Sequence, residues 1–158
     1  MNIELLQQAC AFIWLEADML DHAEYAAWLD LWTADGKYII PIDPKETDFE
    51  NTLNYAYDDG AMRQKRVARL TSGESISTTP TARTVRSVSR VRVLGEADGF
   101  VTVRCAQSLS EFRKDKVRQH TADVAYTLQR SGDSFRLQSK VIRLINSTDT
   151  LTTVGYIL

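Results

Sequence analysis

The stretch RTVRSVSRVRVLGEADGFVTVRCAQSLSEFRKDKVRQHTADVAYTLQR, from Arg83 to Arg130, decides the fold of this chain. Its apolar and polar residues alternate with the period of two that is typical of β-strands, and the pattern continues beyond it. The predicted strands span residues 83–97, 100–114, 117–130 and 134–147. Asp98-Gly99 and Gly132-Asp133 mark two of the hairpin turns, so we expect adjacent, antiparallel strands.

The length of these strands predicts the shape of the sheet. About 14 residues at about 3.3 Å each exceed the usual strand length of about 6 residues more than twofold. Right-handed twist accumulates along such strands, so the sheet should curl and become concave on one side. Helices packed over the concave side would then close a cone.

Two helices are predicted to open the chain. The first runs from Asn2 to Leu20, because apolar residues recur there at steps of three and four. Its expected buried stripe consists of Ile3, Leu6, Cys10, Ile13, Ala17 and Leu20. The second begins at Asp21, which has capping-box spacing to Glu24. Its expected apolar residues are Tyr25, Trp28, Leu29 and Trp32.

The chain between these helices and the long strands predicts a turn, a strand, a third helix and a loop. Asp35-Gly36 indicates the turn, and the prolines at 41 and 44 confine the run KYIIPI to an edge strand. Residues 58–70 favour a helix, and the Ser-, Thr- and Gly-rich residues 71–82 favour a loop. The apolar face of that helix is expected to hold Met62, Val67 and Leu70.

These elements predict an α+β fold: a cone-shaped, strongly curved antiparallel sheet with three N-terminal helices, in a single domain of residues 1–158. The composition is that of a soluble globular protein, with 44% hydrophobic and 25% charged residues. Nineteen basic and twenty-one acidic residues give a net charge of -2, which argues against nucleic acid as a partner.

The absence of several sequence signals predicts the compartment. We find no apolar run near the ~20 residues that a membrane span needs, and the start MNIELLQQACAF does not resemble a secretory signal. Cys10 and Cys105 are too few for a disulfide framework. We therefore expect no membrane association and a cytoplasmic location.

His120 is the candidate for acid–base chemistry inside the cone. It shares a strand face with Ala122, Val124, Tyr126 and Leu128, and that face is more apolar than the opposite one. An inward histidine near Tyr38 or Asp18 could move a proton. The same pattern also fits a hydrogen-bonded core histidine, whereas His22 is expected to face solvent.

Metal chemistry is limited by the number of donors. A Rieske cluster needs two cysteines and two histidines in short paired spacings, and a mononuclear iron site needs further histidines and a carboxylate. The chain has two Cys and two His, without such spacing. We also find no phosphate-binding loop, G-x-S-x-G or H-E-x-x-H motif. The sequence therefore predicts no catalytic, cofactor-binding or metal-binding residues.

Basic residues cluster between Arg63 and Arg92, and two explanations remain open for them. They fit a solvated surface, and they also fit a subunit contact in which arginines pair with carboxylates of another protein. Arg86, Arg90 and Arg92 are expected to share one strand face. The cluster consists of Arg63, Lys65, Arg66, Arg69, Arg83, Arg86, Arg90 and Arg92.

The order of several motifs resembles the small (β) subunit of aromatic-ring-hydroxylating dioxygenases. YDDGAMRQKRVARL, from Tyr57 to Leu70, is followed by TPTARTVRSVSRV, from Thr79 to Val91. EADMLD and WLDL near the start and FRLQSKVIRLIN near the end fit as well. The matching residues around the loop are Tyr57, Asp58, Asp59, Arg66, Val67, Arg69, Leu70, Gly73, Pro80, Arg83 and Thr84.

The resemblance implies a cone fold shared with nuclear transport factor 2, ketosteroid isomerase and scytalone dehydratase. It also implies a non-catalytic subunit of an NADH-dependent oxidoreductase that oxidises aromatic compounds. In that family the large (α) subunit carries the Rieske [2Fe-2S] cluster and the non-haem Fe(II), and three α and three β chains assemble around a β trimer.

On this resemblance we expect structural or interface roles for a defined set of residues. Arg66, Arg69 and Arg83 would hold helix, loop and partner in register, while the aromatic residues pack the mouth of the cone. The full set is Tyr57, Asp58, Arg66, Arg69, Arg83, Trp28, Trp32 and Tyr38.

Two alternatives and one further expectation remain. The cone could be a stand-alone isomerase or dehydratase that uses His120, Tyr38 and Asp18, or a small-molecule binding module. Val154, Tyr156 and Leu158 alternate, so we expect them to complete the sheet or to fill a groove between subunits.

Overall fold

The structure is a computed structural model that describes residues 1–72, 82–147 and 157–158. Three helices and six strands lie within these ranges. Most of the predicted loop, together with Val154 and Tyr156, lies outside the described residues. The elements are α1 (Ile3–Asp21), α2 (Tyr25–Asp30), β1 (Trp32–Pro41), β2 (Asn54–Asp58), α3 (Gly60–Ser72), β3 (Arg83–Ala97), β4 (Phe100–Arg113), β5 (Lys116–Ser131) and β6 (Ser134–Leu144).

The six strands form one curved, unclosed sheet in the order β2-β1-β6-β5-β4-β3. The predicted α+β fold and the four long strands are confirmed, with boundaries that differ by three residues or fewer. Every pairing is antiparallel except that of β1 with β6, which is parallel. The long hairpins β3–β4–β5–β6 therefore form the body of the sheet, and β1 and β2 extend it.

The hairpin turns follow from residues that adopt positive φ. Asp98 and Gly99 have φ of 54° and 82°, and Lys114 and Asp115 have φ of 53° and 59°. Two consecutive positive φ values give the turn whose twist matches that of antiparallel strands. The β3–β4 turn was predicted from its glycine, whereas the β4–β5 turn forms without one.

The core lies between the concave face of the sheet and the helices. Along β5 the even-numbered residues from His120 to Leu128 are buried, as the alternation predicts. On α1 the predicted stripe is rotated by one position at its N-terminal half: Ile3 is exposed and Leu6 and Cys10 are only half-buried. The buried face of α1 consists of Leu5, Ala9, Phe12, Ile13, Glu16, Ala17 and Leu20.

The start of the second helix differs from its prediction. Asp21 is the last residue of α1 rather than the cap of α2, and α2 begins after Glu24 without a side-chain cap. The capping-box interpretation is wrong because the Asp21 carboxylate accepts hydrogen bonds from β3 instead. Trp32 also leaves the predicted helix and is the first residue of β1.

The strand that contains KYIIPI is not an edge strand. β1 starts at Trp32 and lies between β2 and β6, so the edge position belongs to β2, which the alternation did not reveal. The register of β1 against β6 shifts between Trp32 and Lys37, in place of the predicted turn at Asp35-Gly36. Gly36 packs so closely that a Cβ there would lie 2.8 Å from the Leu137 carbonyl oxygen.

β3 contains a bulge, so the prediction that Arg86, Arg90 and Arg92 share one strand face is wrong. Arg90 has a φ of 55°, and the register against β4 shifts between Ser89 and Arg92. A bulge adds one residue and so reverses the facing of the residues beyond it. Arg86 is therefore buried on the concave side, whereas Arg90 and Arg92 are exposed.

The third helix starts two residues later than predicted, because Asp58 still belongs to β2. Val67 and Leu70 are buried as expected, but Met62 is exposed and Arg63 takes the core position. Within the described ranges, none of the helices is long and apolar enough to cross a membrane.

Candidate functional site

The corner between α3, β1 and β2 contains most of the predicted structural residues. The Arg66 guanidinium donates to both oxygens of the buried Asp58 carboxylate, at 2.6 and 3.1 Å. The same guanidinium lies 5.7 Å from the centre of the Tyr38 ring. Bidentate pairing of this kind fixes distance and orientation together. Arg66 therefore ties helix α3 to strands β1 and β2 within one chain.

Arg63 fills the other side of this corner, a role that the sequence did not reveal. Its guanidinium donates to the main-chain oxygen of Gly36 and, at 3.4 Å, to that of Asp58. It also stacks 4.1 Å from the centre of the Trp32 ring. Burial lowers the pKa of Arg63. These contacts let a buried cation replace the apolar side chain that helical spacing would place there.

The predicted aromatic residues pack against one another. The rings of Trp28 and Trp32 meet edge to face at 5.5 Å, and those of Trp28 and Tyr38 at 6.3 Å. All three side chains are buried. They form part of the core cluster that joins α2 to β1, and edge-to-face packing adds to the stability gained by burial.

Three further residues of the predicted set lie nearer the surface. Tyr57 is half-buried, with the Lys37 ammonium 5.9 Å from its ring centre. Arg69 and Arg83 are exposed. Arg83 lines an open groove of about 590 Å³ between α1 and β3, together with Trp14 and Val85. Trp14 is 55% exposed and Val85 66%, so exposed apolar surface lines the groove with Arg83, beside polar residues that include Asp18 and Asp21.

The interior of the cone contains a buried ion pair. Lys140 Nζ donates to Glu16 Oε1 at 2.8 Å, and both side chains are almost completely buried. Glu16 also accepts from Trp28 Nε1 at 3.1 Å and from the Tyr126 hydroxyl at 3.0 Å. Burial lowers the pKa of Lys140, an effect that Glu16 opposes. The network thus joins α1, α2, β5 and β6 at the centre of the fold.

Ile157 and Leu158 complete this interior. The Lys140 ammonium donates to the main-chain oxygen of Leu158 at 3.1 Å, and Leu158 N–H donates to the Tyr38 hydroxyl at 2.8 Å. The Arg86 guanidinium donates to the main-chain oxygen of Ile157 and to the Asp21 carboxylate. Leu158 is thus buried inside the cone and is not part of a strand, so the prediction that it completes the sheet or fills a groove between subunits is wrong for this residue. It fills the cone of its own chain.

The residues that a stand-alone isomerase or dehydratase would use, His120, Tyr38 and Asp18, each have other neighbours in the described structure. The Asp18 carboxylate is 64% exposed and lies 3.3 Å from His22, which is exposed as predicted. His120 lies instead 4.0 Å from Glu111, whose carboxylate also pairs with Arg118. Burial raises the pKa of Tyr38 to about 12. A phenol with that pKa is a poor proton donor or acceptor near neutral pH.

The pKa values of the two histidines shift in opposite directions. Burial lowers the pKa of His120 below 6.5, with Glu111 opposing, whereas the hydrogen bond to the Asp18 carbonyl raises that of His22. As the pH falls below 6.5, His120 is protonated in the unfolded chain before it is protonated in the folded chain. The folded state therefore loses stability on acidification. His22 stabilises the fold below 6.5, and this contribution disappears as the pH rises through its folded-state pKa.

We therefore expect His120→Gln to flatten the loss of stability on acidification and His22→Gln to steepen it. The free energy of unfolding, measured by urea titration at steps between about pH 5 and pH 8, tests both variants. The two substitutions remove the same group, so each serves as the control for the other. Profiles that shift in the same direction would contradict the assigned environments.

Residues that could hold a metal do not converge. Among residues 1–72, 82–147 and 157–158, no group of three or more His, Cys, Asp or Glu side chains has the geometry of a metal site. Cys10 lies on α1 and Cys105 is buried in β4, where burial raises the pKa of its thiol to about 12. These donors do not fit a Rieske cluster, which needs two thiolates and two imidazoles in close pairs.

Comparison with known proteins gives a consistent result. The family model described as "Ring hydroxylating beta subunit" matches residues 15–150. The small subunit of anthranilate 1,2-dioxygenase from Acinetobacter baylyi is 28% identical over 151 residues, covering 92% of this chain and 93% of its own. The family match therefore runs from within α1 to beyond the end of β6.

Solved structures agree with the sequence comparison. The β subunit of benzoate 1,2-dioxygenase from Burkholderia mallei superimposes with a TM-score of 0.76 at 26% identity, over 94% of this chain and 95% of its own. A nuclear transport factor 2-like protein with a cystatin-like fold, from Novosphingobium aromaticivorans, gives a TM-score of 0.62 at 16% identity, over 89% and 81% of the two chains. The predicted fold type is thereby confirmed.

Proposed function

Because this chain belongs to the ring-hydroxylating β-subunit family, we propose that it is the structural subunit of an aromatic-ring dioxygenase. In this proposal it belongs to the terminal oxygenase component of a multicomponent, NADH-dependent system in the cytoplasm. Its partner is a large α subunit that carries the Rieske [2Fe-2S] cluster and the non-haem Fe(II). Three chains of each kind assemble, with the small subunits as a trimeric base.

The observation that carries the proposal is the filled interior of the cone. The space that a cone-fold isomerase would use for its substrate holds the Glu16–Lys140 pair, Tyr126 and the residues Ile157 and Leu158. The candidate base His120 has Glu111 and Arg118 beside it, and Asp18 faces solvent. These contacts support a scaffold over a stand-alone enzyme.

The exposed arginines supply candidate contacts for the partner. Arg83 lies beside the exposed apolar surface of Trp14 and Val85, and Arg69 lies one turn from the end of α3, on the helix that also carries the exposed Met62. An apolar patch with arginine at its border is typical of protein–protein interfaces. We propose that these two arginines pair with carboxylates of the α subunit or of a second copy of this chain.

Replacing Arg69 and Arg83 with Ala tests the interface. We expect each variant to fold normally, because exposed substitutions change stability by about 0.5 kcal/mol or less. Binding should weaken about tenfold or more for each arginine buried by the partner. Co-expression with the large subunit, followed by size-exclusion chromatography and mass measurement, gives the readout.

Lys114→Ala is the matched control, since it removes one exposed positive charge in the β4–β5 turn. Unchanged assembly of both arginine variants would contradict their interface role. A native complex mass without any large subunit would contradict the proposed function itself.

A further inference from the structure

Exposed apolar side chains lie next to Arg83 on the convex face of the sheet, away from the core. Arg83 is paired in register with Phe112 of β4, and Phe112 with Val117 of β5. Val85 follows on the same face of β3, and Trp14 lines the groove beside it. These four apolar side chains are between 46% and 71% exposed. We call them, together with Arg83, the outer patch, since contiguous apolar surface of this kind is typical of an interaction site.

Arg83 gives the outer patch an available positive charge. It is exposed and forms no ion pair with a described residue. The acidic residues on the other wall of the groove have other partners, because Asp21 is paired with Arg86 and Asp18 lies beside His22. Residues 111–118, next to the patch, hold four basic and two acidic side chains. The surface therefore suits a partner that supplies a carboxylate and an aliphatic side chain.

The segment between β1 and β2, residues 42–53, has the complementary composition. It holds four carboxylates and a single lysine, and Leu53 at its end is 81% exposed. None of the four carboxylates forms an ion pair with a described residue. They belong to Asp43, Glu46, Asp48 and Glu50.

This acidic segment is held in one conformation by its own contacts. The Glu46 carboxylate accepts from the N–H groups of Thr47 and Asp48 at 2.8 and 2.7 Å. The Asp48 carboxylate accepts from the side chain of Asn51, and Arg143 donates to the main-chain oxygen of Glu46 at 3.4 Å. A preorganised segment loses little entropy when it docks.

The outer patch and the acidic segment of one chain are too far apart to meet. Arg143, which holds the segment, is paired in register with Asp123 of β5. Val117 precedes Asp123 by six residues, which is about 20 Å at about 3.3 Å per residue. Two complementary surfaces at different places on one chain can join only different copies, and such head-to-tail contacts close a ring when the rotation between copies allows it.

We propose that residues 42–53 of one copy dock on the outer patch of the next copy. Glu50 of the segment pairs with Arg83, and Leu53 packs against Val85 and Phe112. Three such contacts close the trimeric base. This inference rests on the proposed function and identifies the surface that joins the small subunits, so the partner of Arg83 is a second copy of this chain.

Charge reversal tests the pairing of Glu50 with Arg83. In the complex co-expressed with the large subunit, Arg83→Glu and Glu50→Arg should each weaken the association of the small subunits about tenfold or more. The double variant should return to within about threefold of the unchanged chain, because the pair is restored with its charges exchanged. Mass measurement over a dilution series gives the values.

Asp133→Arg is the matched control for Glu50→Arg. It reverses an exposed carboxylate in the β5–β6 turn, away from the acidic segment. It should leave the association unchanged and should not rescue Arg83→Glu.

Cross-linking tests the apolar half of the contact. The variant with Leu53→Cys and Val85→Cys, in a Cys10→Ser background, is treated with a short bismaleimide and denatured. Cys105 should not react, because it is buried and its thiol pKa is raised to about 12. We expect three covalently linked chains from the double variant and single chains when only one of the two cysteines is present.

Three results would each overturn the inference: a double reversal no better than the single variants, double-cysteine chains that stay unlinked, and a native complex with one small subunit. If they occur in a complex that still contains the large subunit, the assembly role stands and only the docking surface fails. A native assembly of small subunits that passes these tests without any large subunit would contradict the proposed function and leave the docking surface intact.

Discussion

Replacing Lys140 with Met should lower the free energy of unfolding by about 3–5 kcal/mol, one of the two largest effects that we expect for this protein. The substitution removes the cation but leaves the Glu16 carboxylate buried. Its remaining donors among the described residues are the neutral groups of Trp28 and Tyr126. A buried charge without a counter-charge costs far more than the pair contributes. Chemical denaturation monitored by tryptophan fluorescence gives the value.

The double variant Glu16→Gln, Lys140→Met provides the control. The glutamine side chain keeps an oxygen for the Trp28 and Tyr126 donors and carries no charge, so the double variant should be more stable than Lys140→Met alone. A double variant that is less stable than the single variant would contradict the view that the unpaired carboxylate causes the loss. It would indicate instead that the packing of the lysine side chain dominates.

Replacing Arg66 with Met should lower the free energy of unfolding by about 3 kcal/mol. Asp58 is buried, and Arg66 is the side chain that donates to both of its oxygens in the described structure. We place the effect at the lower end of the range for broken buried pairs because the Arg66 side chain itself is 20% exposed. Thermal and urea denaturation of the isolated subunit measure it.

Arg69 offers a matched control on the same helix. It is exposed, so Arg69→Ala should change stability by about 0.5 kcal/mol or less. Asp58→Asn in the Arg66→Met background should recover part of the loss, because the buried charge is then removed. Equal effects of the two arginine substitutions would show that α3 is stabilised by something other than the Asp58 pair.

Local pattern was sufficient to predict most of the elements. Alternation and glycine-containing turns located the four long strands, because each depends on residues close together in the chain. The pairing of β1 with β6 could not be found in this way, since Tyr38 and Lys140 are neighbours only in the folded sheet. The bulge at Arg90 was equally hidden, because nothing in the alternation marks a residue that adopts positive φ.

The buried charges were detectable but were missed. Glu16 lies four residues from both Phe12 and Leu20 on the buried face of α1. In β6, Lys140 is two residues from Ile142 and four from Leu144, so the alternation places all three on the same buried face. Each is a charged residue at a position that periodicity assigns to the core. Two such positions of opposite charge predict a buried pair, although which residues meet depends on the tertiary fold.

The parallel contact between β1 and β6 also determines when the fold can be completed during synthesis. Leu137 N–H donates to the main-chain oxygen of Leu31, so the first strand has its inner neighbour only after the chain has been synthesised beyond residue 137. Until then β1 and the apolar face of α1 are without their final covering. Contacts between such distant parts of a chain slow folding and prolong exposure to aggregation. The nascent subunit should therefore depend on chaperones more than its size alone would suggest.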